Sequence, residues 1–120
     1  MAHPDRRNYD HGRQAEFLCR LALRLKGYQI LAARYRTPLG EIDIVAARGG
    51  TIAVVEVKAR SSRDRAAAAL SPQQQARLQR AAQYLLAQRP ELAGATLRFD
   101  LMLVTPRRWP EHIPSAWDGI

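Results

Sequence analysis

The sequence predicts an α/β domain, a small mixed β-sheet with a central hairpin flanked by helices. Three observations lead there. The stretch Gly40 to Arg60 (GEIDIVAARGGTIAVVEVKAR) reads as two strands joined at Gly49-Gly50. One helix-period apolar pattern precedes it and another follows it. A further alternating run, Thr96 to Thr105, comes after the second helix. The order helix, three strands, helix, strand gives an α/β arrangement. The long helical connection returns the last strand beside the hairpin, parallel to one of its members.

In chain order, residues 1–9 are polar, contain Pro4 and Arg6-Arg7, and read as a flexible basic arm ahead of a single domain over 10–120. A helix is expected from about Asp10 to Lys26, with Gly27 as its stop. Phe17, Leu18, Leu21, Ala22 and Leu25 form its apolar stripe, Cys19 sits beside the stripe as a small packing residue, and Glu16 lies at its border. Tyr28 to Arg36 is the first strand, and Thr37-Pro38-Leu39-Gly40 turns the chain into the hairpin. Residues 59–65 (ARSSRDR) read as a basic loop. Ser71-Pro72-Gln73-Gln74 starts the second helix with a capping box, and Leu78, Ala81, Ala82, Leu85 and Leu86 make its buried stripe. Pro90 ends it. The fourth strand places Leu97, Phe99, Leu101 and Leu103 on one face and Arg98, Asp100, Met102 and Val104 on the other. Trp109 and Trp117, in the tail, read as caps on a core edge.

Composition narrows the class. The chain has 120 residues, 47% hydrophobic and 25% charged, which suits one modest core. No apolar run reaches the roughly 18 residues of a membrane span, and the first residues lack a secretory pattern. The single cysteine excludes an internal disulfide, and the three histidines are scattered, so a reducing cytoplasm is expected. The formal net charge is +8, and 17 of the 19 basic residues are arginine. Such a surface suits an anionic partner, most simply nucleic acid held through phosphates.

The hairpin supplies the chemistry. A two-residue type I′ turn at Gly49-Gly50 pairs Arg48 with Thr51, which sets Asp43 opposite Glu56 and Glu41 opposite Lys58. All four then project from one face. Two directly opposed carboxylates repel by up to about 1 kcal/mol on a solvated face, unless a cation lies between them. A hard ion such as Mg²⁺ fits two carboxylates at that spacing, with Lys58 beside it. The same face also reads as a Glu41–Lys58 ion pair flanked by two solvated acids.

Glu16 on a helix, Asp43 on a strand and Glu56-Val57-Lys58 on the next strand resemble the PD-(D/E)xK nuclease superfamily. The wording is closer still to the YraN-like family of small bacterial proteins, which are similar to archaeal Holliday-junction resolvases. The matching segments are Gly12 to Glu16, Gly27-Tyr28, Gly40-Glu41-Ile42-Asp43, Val55-Glu56-Val57-Lys58 with Arg60, Arg98-Phe99-Asp100, His112-Ile113 and Ala116-Trp117. The chain departs at Gln74, where such proteins often carry a lysine, and at Trp117, where a phenylalanine is usual.

The resemblance implies a restriction-endonuclease-like core and metal-dependent hydrolysis of phosphodiester bonds in structured, branched DNA. DNA is favoured over RNA, no membrane is involved, and a homodimer is implied. Asp43 and Glu56 would hold Mg²⁺ or Mn²⁺, with Glu16 as an accessory ligand, and Lys58 would position the attacking water or offset charge on the phosphate. Arg60, Arg63 and Arg65 after the hairpin, with Arg34 and Arg36 on the first strand, are the candidate nucleic-acid contacts. Two other readings stay open: a nucleic-acid-binding module with this fold but little catalysis, and a basic adaptor for an acidic protein.

Overall fold

Gly49 and Gly50 adopt φ angles of +56° and +81°, the left-handed pair that a two-residue type I′ turn requires. They join β2 (Gly40–Arg48) to β3 (Thr51–Ala59) in a computed structural model that describes residues 5–117, with side chains described from Gly12 onward. The antiparallel register follows from the turn: Arg48 faces Thr51, and the pairs continue to Ile44 and Val55. An L-residue in the left-handed region costs roughly 1–2 kcal/mol. Gly50→Ala is therefore expected to lower unfolding free energy by about that amount, measured by urea denaturation.

The sheet has five strands in the order β1-β2-β3-β4-β5. β1 (Gln29–Thr37) pairs antiparallel with β2. β4 (Thr96–Val104) lies parallel to β3, as expected for a strand returning through a helix. β5 (Glu111–Ile113) is a short antiparallel edge strand in the tail, which periodicity over three residues does not reveal.

Alternation divides β4 as expected. Phe99 packs with Leu78, Ala81, Ala82 and Leu85 of α3 (Pro72–Gln88), and Leu101 and Leu103 pack with Ala66 of α2 (Arg63–Ala68). Met102 lies on the opposite face, against α1 (Asp5–Leu25). The α3 capping box forms: the Ser71 hydroxyl accepts from the Gln74 amide, and the Gln74 side chain accepts from the Ser71 amide, both at 3.2 Å.

Three expectations are corrected. α1 begins at Asp5 rather than Asp10, so part of the expected arm is helical; residues 1–4 lie outside the described residues. Gly12 sits inside the helix, where glycine costs only about 1 kcal/mol against alanine. Among the described side chains, those that α1 buries are Ala15, Cys19, Ala22 and Leu23. Phe17, Leu21 and Leu25 turn outward, with Phe17 54% and Leu25 72% exposed. Small side chains at 15, 19 and 22 let the helix axis approach the sheet, and the bulky residues are left on the other side. The loop 59–65, finally, is shorter than expected, because Ser62 caps α2 by accepting from the Arg65 amide. The alanines after Arg65 are strong helix formers.

Candidate active site

The hairpin ladder stops one pair short of the acids. Beyond Ile44–Val55 the Asp43 carboxylate itself takes up the β3 backbone: its Oδ2 accepts from the Val57 amide at 2.8 Å. The pleat is interrupted at the same place. Ile42 and Val45, three residues apart, both pack in the α3 cluster, while Ile44 packs towards α1. On β1, the pairs Ala33–Ile44 and Tyr35–Ile42 bracket Arg34, which adopts a left-handed φ of +53°. A non-glycine residue held there stores on the order of 1–3 kcal/mol, and such positions gather at functional sites.

This break corrects the expectation of four charges on one strict face. Glu41 turns to β1, where it is the register partner of Arg36 and lies 3.4 Å from the Arg36 Nε. The expected Glu41–Lys58 opposition is thereby replaced. Asp43 and Glu56 do come together. Burial first, then a hydrogen bond and the charge of Asp43, push the Glu56 carboxyl up to about 9, with Lys58 and the Val57 amide acting the other way. At neutral pH Glu56 is therefore protonated and donates to the Asp43 carboxylate. One proton binds two carboxyl groups at the parted end of the hairpin, with the Lys58 ammonium near enough to oppose it.

The sign of the pH effect follows. Folded Glu56 holds its proton up to about pH 9, whereas a carboxyl in the unfolded chain releases it near its ordinary value of 4.5. Its contribution to stability is full below that lower value and is lost as pH rises towards 9. Glu56→Gln keeps a neutral donor towards Asp43 and removes this loss. The melting temperature of the variant minus that of the native chain is expected to rise by several degrees between pH 5 and pH 9. A constant difference in thermal melts across that range would contradict the shared proton.

Glu16 is held by Arg34, whose Nε donates to its Oε1 at 2.8 Å, and its side chain is only 13% exposed. Both Glu16 and Asp43 act on Cys19: burial first, then these two acids, push the thiol up to about 12. Cys19 is thus a protonated packing residue, as expected, with an acid from α1 and an acid from β2 both within electrostatic reach of it. Among the described residues, however, no three His, Cys, Asp or Glu side chains converge as a metal-holding group. The close pair is Asp43 and Glu56, and the partner of Glu16 is an arginine.

The candidate phosphate contacts are spread over the same end of the sheet. Arg34 is tied to Glu16 and Arg36 to Glu41. Arg60 follows β3, its amide donating to Val104 O at 3.1 Å and its Nη1 to Ala59 O at 2.7 Å. Arg63 and Arg65 sit on α2 rather than in a loop; Arg63 makes a two-point bond to Glu111, at 3.0 and 3.2 Å, and Arg65 is exposed. Gln74 is occupied in the α3 cap.

A second polar cluster was not assigned a role from the sequence. Asp100 is 0% exposed. Arg98 donates to both its oxygens at 2.8 and 2.7 Å, His112 Nε2 lies 2.8 Å away and the Ser115 amide 3.1 Å away. Arg98 also donates to the Tyr28 hydroxyl at 2.6 Å. Lys26 Nζ lies 3.0 Å from His112 Nδ1. An ammonium only donates, so Nδ1 accepts and the ring proton on Nε2 goes to Asp100. Burial alone would raise the Asp100 carboxyl, but the bonds from His112, Arg98 and Ser115 hold it down at about 2. The sequence signal was a lone acid on a strand face shared with Met102 and Val104. The network clamps β5 and the tail to β4 and to the end of α1.

Fold and site together define a class: a mixed-sheet α/β domain with a carboxyl pair and a lysine at the parted end of its central hairpin. The chain belongs to the UPF0102 family. Residues 15–104 match the family described as "Uncharacterised protein family UPF0102". The chain is 56% identical to a UPF0102 protein of Parvibaculum lavamentivorans over 109 residues, covering 91% of this chain and 82% of that one. It is 52% identical to a UPF0102 protein of Methylorubrum extorquens, covering 94% and 90% respectively. It is 49% identical to one from a Chelativorans species, covering 92% and 90%. Among the described residues, no helix is long and apolar enough to cross a membrane.

Proposed function

We propose that this chain is a metal-dependent nuclease with a restriction-endonuclease-like core, hydrolysing phosphodiester bonds in structured, branched DNA in the cytoplasm. The observation that carries the reading is the Asp43–Glu56 carboxyl pair, sharing one proton beside Lys58 where the hairpin strands part. The resemblance of Glu16, Asp43 and Glu56-Val57-Lys58 to the nuclease pattern supports it, as does the net charge of +8.

The donor set suits a hard divalent ion: two adjacent carboxyl groups, with one oxygen held by a backbone amide. Asp43 and Glu56 would hold Mg²⁺ or Mn²⁺, and Glu56 would have to release its proton to do so. Glu16 contributes through the Arg34 pair or through a water. The ion supplies polarisation of the phosphoryl oxygen and a more acidic bound water. Lys58 adds positive charge where the phosphate gains negative charge. Arg60 and Arg65 fix the backbone of the nucleic acid. A homodimer would present two such sites to the two strands of a junction.

The test is a cleavage panel over linear, single-stranded, flapped and four-way DNA and over RNA, with Mg²⁺ or Mn²⁺. Cleavage of a branched substrate is expected, with the rate falling about 10²–10³-fold in Lys58→Ala. Salt-sensitive binding without cleavage of any substrate would replace the nuclease with a binding module. Loss of all nucleic-acid binding at physiological salt would favour an acidic protein partner.

A further inference from the structure

A cavity of about 370 Å³ lies at the end of β4, lined by Arg63, Leu103, Thr105, Arg108, Trp109 and Glu111. Its size is in the range of small-ligand sites. Trp109 is 55% exposed, which corrects the expectation that it caps a core edge; Trp117 fulfils that role, with its ring centroid 5.4 Å from that of Phe99. Trp109 is not on a loose segment, because Pro110 beside it is buried and β5 begins at Glu111. The turn that presents it is strained: the Arg108 amide donates to Thr105 O at 3.3 Å, and Arg107 takes a left-handed φ of +64°. Among the described residues, no hydrogen bond or ion pair holds the Arg108 side chain. Glu111 is fixed by the two-point bond from Arg63.

The cavity adjoins the candidate active site. Lys58 on β3 pairs with Leu103 on β4, and Leu103 pairs with Glu111 on β5. Residues paired across a sheet share a face, so Lys58, Leu103 and Glu111 form one row. From Lys58 to Glu111 is two strand spacings, about 10 Å. Glu56 stands one step along the same face, two residues before Lys58.

We propose that this cavity is a subsite for an unpaired nucleotide, its base stacked on Trp109 and its phosphate held by Arg108, next to the scissile bond. An exposed indole gives a stacking platform for any base. The Glu111 carboxylate, held by Arg63, leaves acceptor capacity for the exocyclic amine of a base. The inference rests on the nuclease reading and narrows its substrate to structures with a single-stranded element beside the cut: flaps, gaps and open branch points.

Binding is measured by fluorescence anisotropy in EDTA, so that no step depends on catalysis. The probes are a labelled single strand in DNA and RNA form, a blunt duplex, and the same duplex with a single-stranded flap. Trp109→Ala is expected to weaken single-stranded and flapped ligands about 5- to 150-fold, and the blunt duplex less than about twofold. Arg108→Ala weakens the flapped ligand as well, and Trp109→Phe restores most of the affinity lost in Trp109→Ala. Thermal melts check that each variant folds. Equal loss on flapped and blunt ligands, no loss on either, or no binding by the native chain would overturn the subsite. Trp109-dependent binding in a chain that cleaves nothing with Mg²⁺ or Mn²⁺ keeps the subsite and removes the nuclease. Cleavage with binding untouched by Trp109→Ala does the reverse.

Discussion

Asp43→Ala is expected to abolish metal-dependent cleavage, with a loss of about 10³-fold or more, while folding and nucleic-acid binding stay largely intact. Asp43 is the partner that Glu56 bonds to, and its Oδ2 is pinned by the Val57 amide at 2.8 Å. Removing it takes away one of the two carboxylates that would hold the ion and leaves Glu56 raised by burial alone. Stability moves little, because the lost amide bond, worth about 1 kcal/mol, is offset by relief of the crowded acids. The check is a single-turnover cleavage assay alongside thermal melts and anisotropy binding. Cleavage at the native rate in Asp43→Ala would remove the hairpin pair from the chemistry.

The largest expected effect on stability lies elsewhere, at Asp100. Asp100→Ala is expected to cost about 3–5 kcal/mol, read from urea unfolding. The substitution leaves Arg98, His112 and the Ser115 amide without the acceptor that all three share. The sign with pH is opposite to that of Glu56. The folded carboxyl is held down at about 2, against an ordinary value of 3.8. Its contribution is full above 3.8 and is lost as pH falls through about 2. The cost of the substitution is therefore constant between pH 5 and 8 and shrinks only in strong acid. A cost below about 1 kcal/mol at pH 7 would mean that the network is solvated rather than a clamp. Because β5 carries Glu111 and follows Trp109, Asp100→Ala also loosens the cavity beside Lys58.

The parts of the molecule legible in the sequence were those set by near neighbours in the chain. Gly49-Gly50 fixed the turn and therefore the register as far as Ile44–Val55. Ser71 and Gln74 fixed the start of α3, and alternation fixed the two faces of β4. What escaped depends on partners distant in sequence. The pleat breaks at Asp43 opposite a left-handed Arg34 on β1, and no pattern within β2 announces that. Between Ala15 and Leu25 the first helix is apolar on most of its circumference. Which side it buries is settled by how closely Ala15, Cys19 and Ala22 can approach the sheet. Asp100 read only as one residue of the β4 face opposite Phe99, because two of the groups that solvate it, His112 and Ser115, lie beyond the strand. The candidate site was legible as a set of residue types, Asp43, Glu56 and Lys58; its geometry was not. The expected partner of Glu41 was wrong for the same reason that the strict face was wrong: β1 competes for it through Arg36.

Mn²⁺ binding, followed by loss of the free-ion electron paramagnetic resonance signal, tests the central claim most directly, because it needs no substrate. One saturable site is expected on the native chain, tighter as pH rises towards 9 because Glu56 must release its proton to bind. Asp43→Ala and Glu56→Gln are each expected to weaken it at least about 10-fold, and Mg²⁺ to compete for it. No saturable site on the native chain, or equal affinity in all three proteins, would contradict a metal centre at the parted end of the hairpin.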